Sequence, residues 1–291
     1  MRIGVFSVIV FSIASFFPPN QYVCADSKVS VVVTILPLAE FVEQIGRDKV
    51  KVSVMIPPGA EPHTYEPTPN QLKEISTADL YVKVGTGLEF ELYWLDKLLG
   101  LNKTIRLCDS SSGVELLSMN ADAHDGHAHG FADPHIWLSP IRVVTMAENI
   151  ENALSDIDPS HAQFYKANTR DFISRLQALD TKIKNKLAAF AGRAFLVVHP
   201  EWGYLAADYS LEQISMEKEG KELTAQEISE ILKRAKEKCI RAVLTSPQFS
   251  RKTAEVIAKE INAKPIVTDA LAKDYLENLR RVTDQLVNAF Q

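Results

Sequence analysis

Between Asp158 and Gly192 the chain repeats an apolar residue on one side of a helix for longer than a small domain requires. Tyr165, Phe172, Leu176, Leu179, Ile183, Leu187 and Phe190 are separated by 7, 4, 3, 4, 4 and 3 positions. That is one apolar stripe on a period of about 3.6 residues. Asp158-Pro159 opens the segment and Gly192 closes it. About 32 residues at about 1.5 Å each predict a helix about 48 Å long. A rod of that length acts as a strut touching two bodies, so the sequence on either side is read as two units.

Both flanks alternate strand and helix. Ahead of the strut, Val29–Thr34, Lys51–Met55, Leu80–Val84 and Thr104–Leu107 read as strands rich in β-branched residues. Helices are expected over Leu38–Ile45, from Thr68-Pro69-Asn70-Gln71, over Glu89–Leu99 and from Ser139-Pro140 to Leu154. The Thr68 start carries a capping Thr, Pro at the first helical position and Gln three residues on. Behind the strut, Ala194–Val198, Leu211–Ile214, Ile240–Leu244 and Pro265–Val267 read as strands. A capping box at Thr224–Glu227 opens a helix to Lys238; further helices are expected over Ser250–Ile261 and Lys273–Phe290. Strands separated by helices imply parallel sheets covered on both faces. The expected fold is α/β, with two Rossmann-like lobes (26–158 and 193–291) joined by a long rigid linking helix (159–192). Ligands of such sheets sit outside the carboxyl ends of the strands, here in a cleft between the lobes.

Residues 1–25 stand apart. Arg2 precedes an apolar run from Ile3 to Phe17, then Pro18 and Pro19. The run is shorter than the roughly 20 residues that span a bilayer and fits a secretory signal peptide cleaved after Ala25, at Val23-Cys24-Ala25. Export without a lipid anchor is expected. Losing Arg2 takes the 32 basic residues to 31, against 37 acidic ones, which gives no reason to expect a nucleic-acid or anionic-membrane partner. Cys108 and Cys239 remain, one in each lobe, and are expected as separate buried thiols.

Seven histidines are present, and three crowd into His124, His127 and His129. They lie in 109–134, a stretch without periodicity that reads as a loop. Elsewhere, metal-type ligands stand just after a strand or just before a helix. His63 lies in GAEPHTYEPTP and His135 in DPHIWLSP; His199 ends the strand at Val198 and Asp269 the one at Val267. Proline-braced loops and strand ends hold side chains stiffly enough for a tetrahedral site. Ligands so widely spread have no diagnostic spacing, and local roles stand beside the metal reading. His63 can cap a turn, His135 can bond backbone near a helix start, and Asp269 can cap a helix. His161 is expected to be solvated, Glu61 and Glu201 to face water, and Glu89 to begin a helix whose dipole suits its charge. Trp94, Trp137 and Trp202 are read as packing residues.

GAEPHTYEPTP, DPHIWLSP, VVHPEWGYLAADYSLEQI, TSPQFS and TDALAKDYLENL together resemble, in order, the metal-specific periplasmic solute-binding proteins of ABC importers. The likeness is strongest to the zinc-binding ZnuA-like group and covers essentially the whole mature chain. It implies two lobes on a rigid helix with metal in the cleft, first-lobe ligands at His63 and His135, and second-lobe ligands at His199 and Asp269. His199 stands where the zinc binders carry His and the manganese binders Glu. Three imidazoles and a carboxylate suit borderline Zn²⁺ better than hard Mn²⁺. The resemblance implies a monomeric, non-catalytic carrier that delivers Zn²⁺ to an ABC permease, with His124, His127 and His129 as a weak auxiliary metal site. Pro200 and Ala270 depart from the family pattern without changing the ligand types. Rival readings are a manganese or iron carrier of the same family, a zinc hydrolase using Asp269 or Glu201 as general base, and an adhesin or metal buffer.

Overall fold

The computed structural model describes residues 28–118, 132–216, 224–249 and 251–291. The expected signal peptide and His124, His127 and His129 lie outside them. In the first lobe, β1 (Val29–Val33), β2 (Val50–Val54), β3 (Leu80–Lys83) and β4 (Arg106–Asp109) form a parallel sheet in the order β2-β1-β3-β4. Its helices are α1 (Leu36–Gly46), α2 (Pro69–Ser76), α3 (Glu89–Gly100) and α4 (Pro140–Ile157). The linking helix is α5 (Ala162–Leu187). The second lobe repeats the plan: β5 (Ala194–Val197), β6 (Glu212–Ser215), β7 (Ala242–Thr245) and β8 (Lys264–Val267) are parallel in the order β6-β5-β7-β8. Its helices are α6 (Gly203–Asp208), α7 (Ala225–Glu237), α8 (Arg251–Glu260) and α9 (Tyr275–Phe290).

Both capping boxes form: Thr68 with Gln71 and Thr224 with Glu227 satisfy each other's end groups reciprocally. Gln71 does more. Its amide donates to the carbonyls of Val54 at 3.1 Å and Met55 at 2.5 Å, which ties the start of α2 to the end of β2. Both ends of the loop that carries His63 are thereby fixed. Strand β4 begins two residues later than expected, because Asn102 Oδ1 holds Thr104 in a turn through its N–H and hydroxyl.

The linking helix runs over 159–190 as expected, with both ends wound more tightly than an α-helix. Its α-helical part has 26 residues, about 39 Å, and tight three-residue turns flank it at Pro159–His161 and Ala188–Phe190. Asp158 accepts bonds from Ser160 and Tyr165 and pairs with His161, which draws the start of the rod into a turn. Tyr165, Phe172, Leu176, Leu179, Ile183 and Leu187 are buried, and α5 packs on α1 and α4 of the first lobe and on α9 of the second. Phe172 meets Phe41 at 5.7 Å, and Phe41 meets Tyr275 edge-on at 5.0 Å. One apolar core therefore runs through both lobes. In β5 it takes Phe195 and Val197, while Ala194 and Leu196 join a second core with residues of α7 and α8, as alternation along a strand requires. Cys108 and Cys239 are unpaired as expected. Cys239, however, is exposed; it sits at φ 50° in the turn just past α7.

Candidate metal centre

Four backbone stretches converge at the carboxyl ends of the two sheets. His63 comes from the braced loop between β2 and α2, His135 from the turn before α4, His199 from the end of β5 and Asp269 from the end of β8. The three imidazoles meet. Nε2 of His63 is 3.3 Å from Nε2 of His199, and the ring centres of His135 and His199 are 5.4 Å apart. Two nitrogens bound at about 2.0–2.1 Å to one tetrahedral ion stand about 3.3 Å apart.

Carboxylates turn two of the rings. Nδ1 of His63 is 2.6 Å from Glu89 Oε2, and Nδ1 of His135 is 2.7 Å from Asp133 Oδ1. A carboxylate only accepts, so each Nδ1 carries a proton, and in the neutral ring the lone pair is left on Nε2. Histidines that hold metals are commonly fixed this way. The bond to His63 holds the Glu89 carboxyl below the usual range. Glu89 begins α3 as expected, and its contact with His63 is an added role. The buried carboxylate of Glu91 sets that first turn, accepting from Thr34 Oγ1 and Val84 N–H at 2.6 Å each and from Gly85 N–H at 2.9 Å. The His199 ring stacks on Phe249 at 4.9 Å.

Asp269 Oδ1 accepts from Leu271 N–H at 3.0 Å and Gln248 Nε2 at 3.2 Å, so this carboxylate is held at the strand end. Glu201 corrects an expectation. It does not face water but is buried and lines the cavity with the three histidines. The turn closed by its N–H on the carbonyl of His199 at 2.8 Å sends the side chain inward, where Trp202 Nε1 donates to it at 3.1 Å. Burial pushes its carboxyl up to about 8. The cavity is small, about 20 Å³, with Pro62, Leu88, Trp137 and Phe249 as apolar walls. That is room for about one water molecule or ion. Trp137 and Trp202 are buried packing residues as expected, and Trp137 Nε1 also donates across the lobes to the Ala270 carbonyl at 2.8 Å. His161 lies at the start of α5, half-buried and bonded to Asp158 at 2.7 Å, and takes no part in the site. Asp133, Gln248 and Phe249 were not singled out from sequence. Asp133 was legible as an acid two residues before a candidate ligand; the other two meet the site only through the fold.

The family model described as the periplasmic component A of the zinc-uptake complex, ZnuA, matches residues 31–289. The chain belongs to the ZnuA family. It is similar to the high-affinity zinc uptake system protein ZnuA of Bacillus subtilis, 31% identical over 259 residues, covering 85% of this chain and 81% of the relative. It is also 31% identical over 298 residues to the zinc-binding protein AdcA of Streptococcus pyogenes, spanning 91% of this chain but 58% of that longer protein. A crystal structure of a ZnuA superposes with a TM-score of 0.85 at 40% identity, covering 91% of this chain and all of that one. The ZnuA family is a family of periplasmic zinc-uptake components. Among the described residues no helix is long and apolar enough to cross a membrane.

Proposed function

We propose that the protein captures Zn²⁺ in the cleft between its lobes and hands it to an ABC permease for import, with His63, His135, His199 and Asp269 as the ligands. The observation that carries this reading is the 3.3 Å approach of two imidazole nitrogens, with carboxylates fixing the lone pairs of His63 and His135 on Nε2. The donor set of three nitrogens and one oxygen favours zinc over manganese. A cavity of about 20 Å³ supports an ion as cargo; pockets for organic substrates are about 300 Å³ or larger. The same reading takes 26–158 and 193–291 as the lobes and 159–192 as the linker. It also has the leader cleaved after Ala25, the mature chain monomeric in the periplasm, and His124, His127 and His129 collecting extra ions weakly.

Competitive titration of the metal-free mature chain with Zn²⁺, Mn²⁺, Cu²⁺ and Ni²⁺ tests it. The expected result is one tight Zn²⁺ per chain, plus weak binding that disappears when residues 124–129 are deleted. Tighter Mn²⁺ than Zn²⁺ would overturn the metal assignment.

A further inference from the structure

The pair Asp133–His135 belongs to the first lobe by sequence, yet the second lobe also holds it. Asp133 and Tyr204 are both buried. The Tyr204 hydroxyl donates to the carbonyl of Asp133 at 2.8 Å and accepts from Leu117 N–H at 3.1 Å. Leu117 and Asp133 are themselves joined by a backbone bond of 2.8 Å. The Arg142 guanidinium lies over the Tyr204 ring at 4.6 Å and bonds Asp208 at 2.6 Å, which fastens α6 to the start of α4. Beside Tyr204, the backbone of Gly203 comes so close to Asp133 that a β-carbon there would strike Oδ2. The other oxygen of that carboxylate is the one that holds both the N–H and the ring of His135.

We infer that Gly203 and Tyr204 are positioning residues of the zinc site: Gly203 leaves the space that the Asp133 carboxylate occupies, and Tyr204 ties its backbone, in the placement that aims His135 at the ion. The inference rests on His135 being a ligand, as proposed above. Gly203 is the first residue of a helix and has an ordinary backbone there, so alanine satisfies the local conformation and improves helix propensity. Only the Asp133 carboxylate stands in its way. Tyr204→Phe keeps the ring and the Arg142 stack and removes the hydroxyl alone. Burial pushes the Tyr204 phenol up to about 12, so the hydroxyl remains a donor at working pH.

The test is zinc affinity by chelator competition in the mature chain, alongside the melting temperature of the metal-free form and the ¹⁵N signature of the His135 ring. Loss of a partner behind a ligand weakens metal binding about 10–100-fold. Gly203→Ala is expected to weaken zinc within that range and disturb the His135 signature while leaving the melting temperature unchanged or higher. Tyr204→Phe is expected to weaken it about tenfold. In an Asp133→Ala background, Gly203→Ala should add nothing, because the group it strikes is gone. Wild-type affinity in Gly203→Ala, or an equal loss in both backgrounds, overturns the inference. His135→Ala separates the two readings: if it still binds zinc tightly, the ligand assignment fails; if it does not and Gly203→Ala is silent, only the positioning role fails.

Discussion

Nε2 of His63 and Nε2 of His199 face each other at 3.3 Å across the two lobes, while the ring centres are 4.9 Å apart. The rings thus meet through their nitrogens and not through their faces. One comes from a proline-braced loop and the other from a strand end, so neither lobe alone contains the pair. His199→Ala is expected to abolish the tight zinc event in titration while leaving the fold intact by circular dichroism. Retention of tight binding would remove His199 from the site.

Glu89→Gln replaces the carboxylate that fixes the proton on Nδ1 of His63. Zinc affinity is expected to fall about 10–100-fold, with stoichiometry unchanged. Isothermal titration of the variant against wild type checks this. An unchanged affinity would show that the proline loop alone orients the ring.

Zinc that binds only the folded chain stabilises it by mass action. At a free concentration about 1,000 times the dissociation constant the gain is about 4 kcal/mol, which raises the melting temperature by about 8–16 °C. Scanning calorimetry with and without zinc measures the shift, and a chelator should reverse it. Because imidazole must be neutral to bind metal, the shift should shrink as pH falls through about 6.5.

The two thiols should differ sharply. Cys108 lies in β4 with its thiol buried against α4, and burial pushes it up to about 12. A raised thiol pKa leaves very little thiolate at pH 8, and the thiolate is the reactive form. Cys239 is exposed. A thiol reagent should modify one cysteine of the native mature chain quickly and the second only after denaturation, with peptide mapping placing the fast one at Cys239.

The common core limits how far the lobes can part. Phe172, Phe41 and Tyr275 form a continuous aromatic contact across the interface. Zinc should change the radius of gyration by much less than a full hinge closure would, as read by small-angle scattering. Phe172→Ala should cost about 3–5 kcal/mol and lower the melting temperature by about 10 °C.

The alternation of strand and helix, the strut and both capping boxes were legible in the sequence, because they depend on residues within a few positions of one another. The four proposed ligands were legible as types at strand ends and braced loops, and the resemblance set them in order. What lies around them was not. Glu201 turned inward because a backbone bond to His199 closes a tight turn, and no residue pattern distinguishes that from an outward glutamate. Gln248 and Phe249 reach Asp269 and His199 only after β7 and β8 are laid beside β5. The tighter winding at both ends of the strut was not legible, because period alone cannot tell a three-residue tight turn from the end of an α-helix.

The aromatic contact between α1, α5 and α9 has a bearing on how the chain is made. Phe41 near the first strand finds its cover in Tyr275, 234 positions later. Contacts of such long sequence separation form slowly, since the intervening loop must close before they contribute. A half-synthesised chain therefore cannot lock into its final shape.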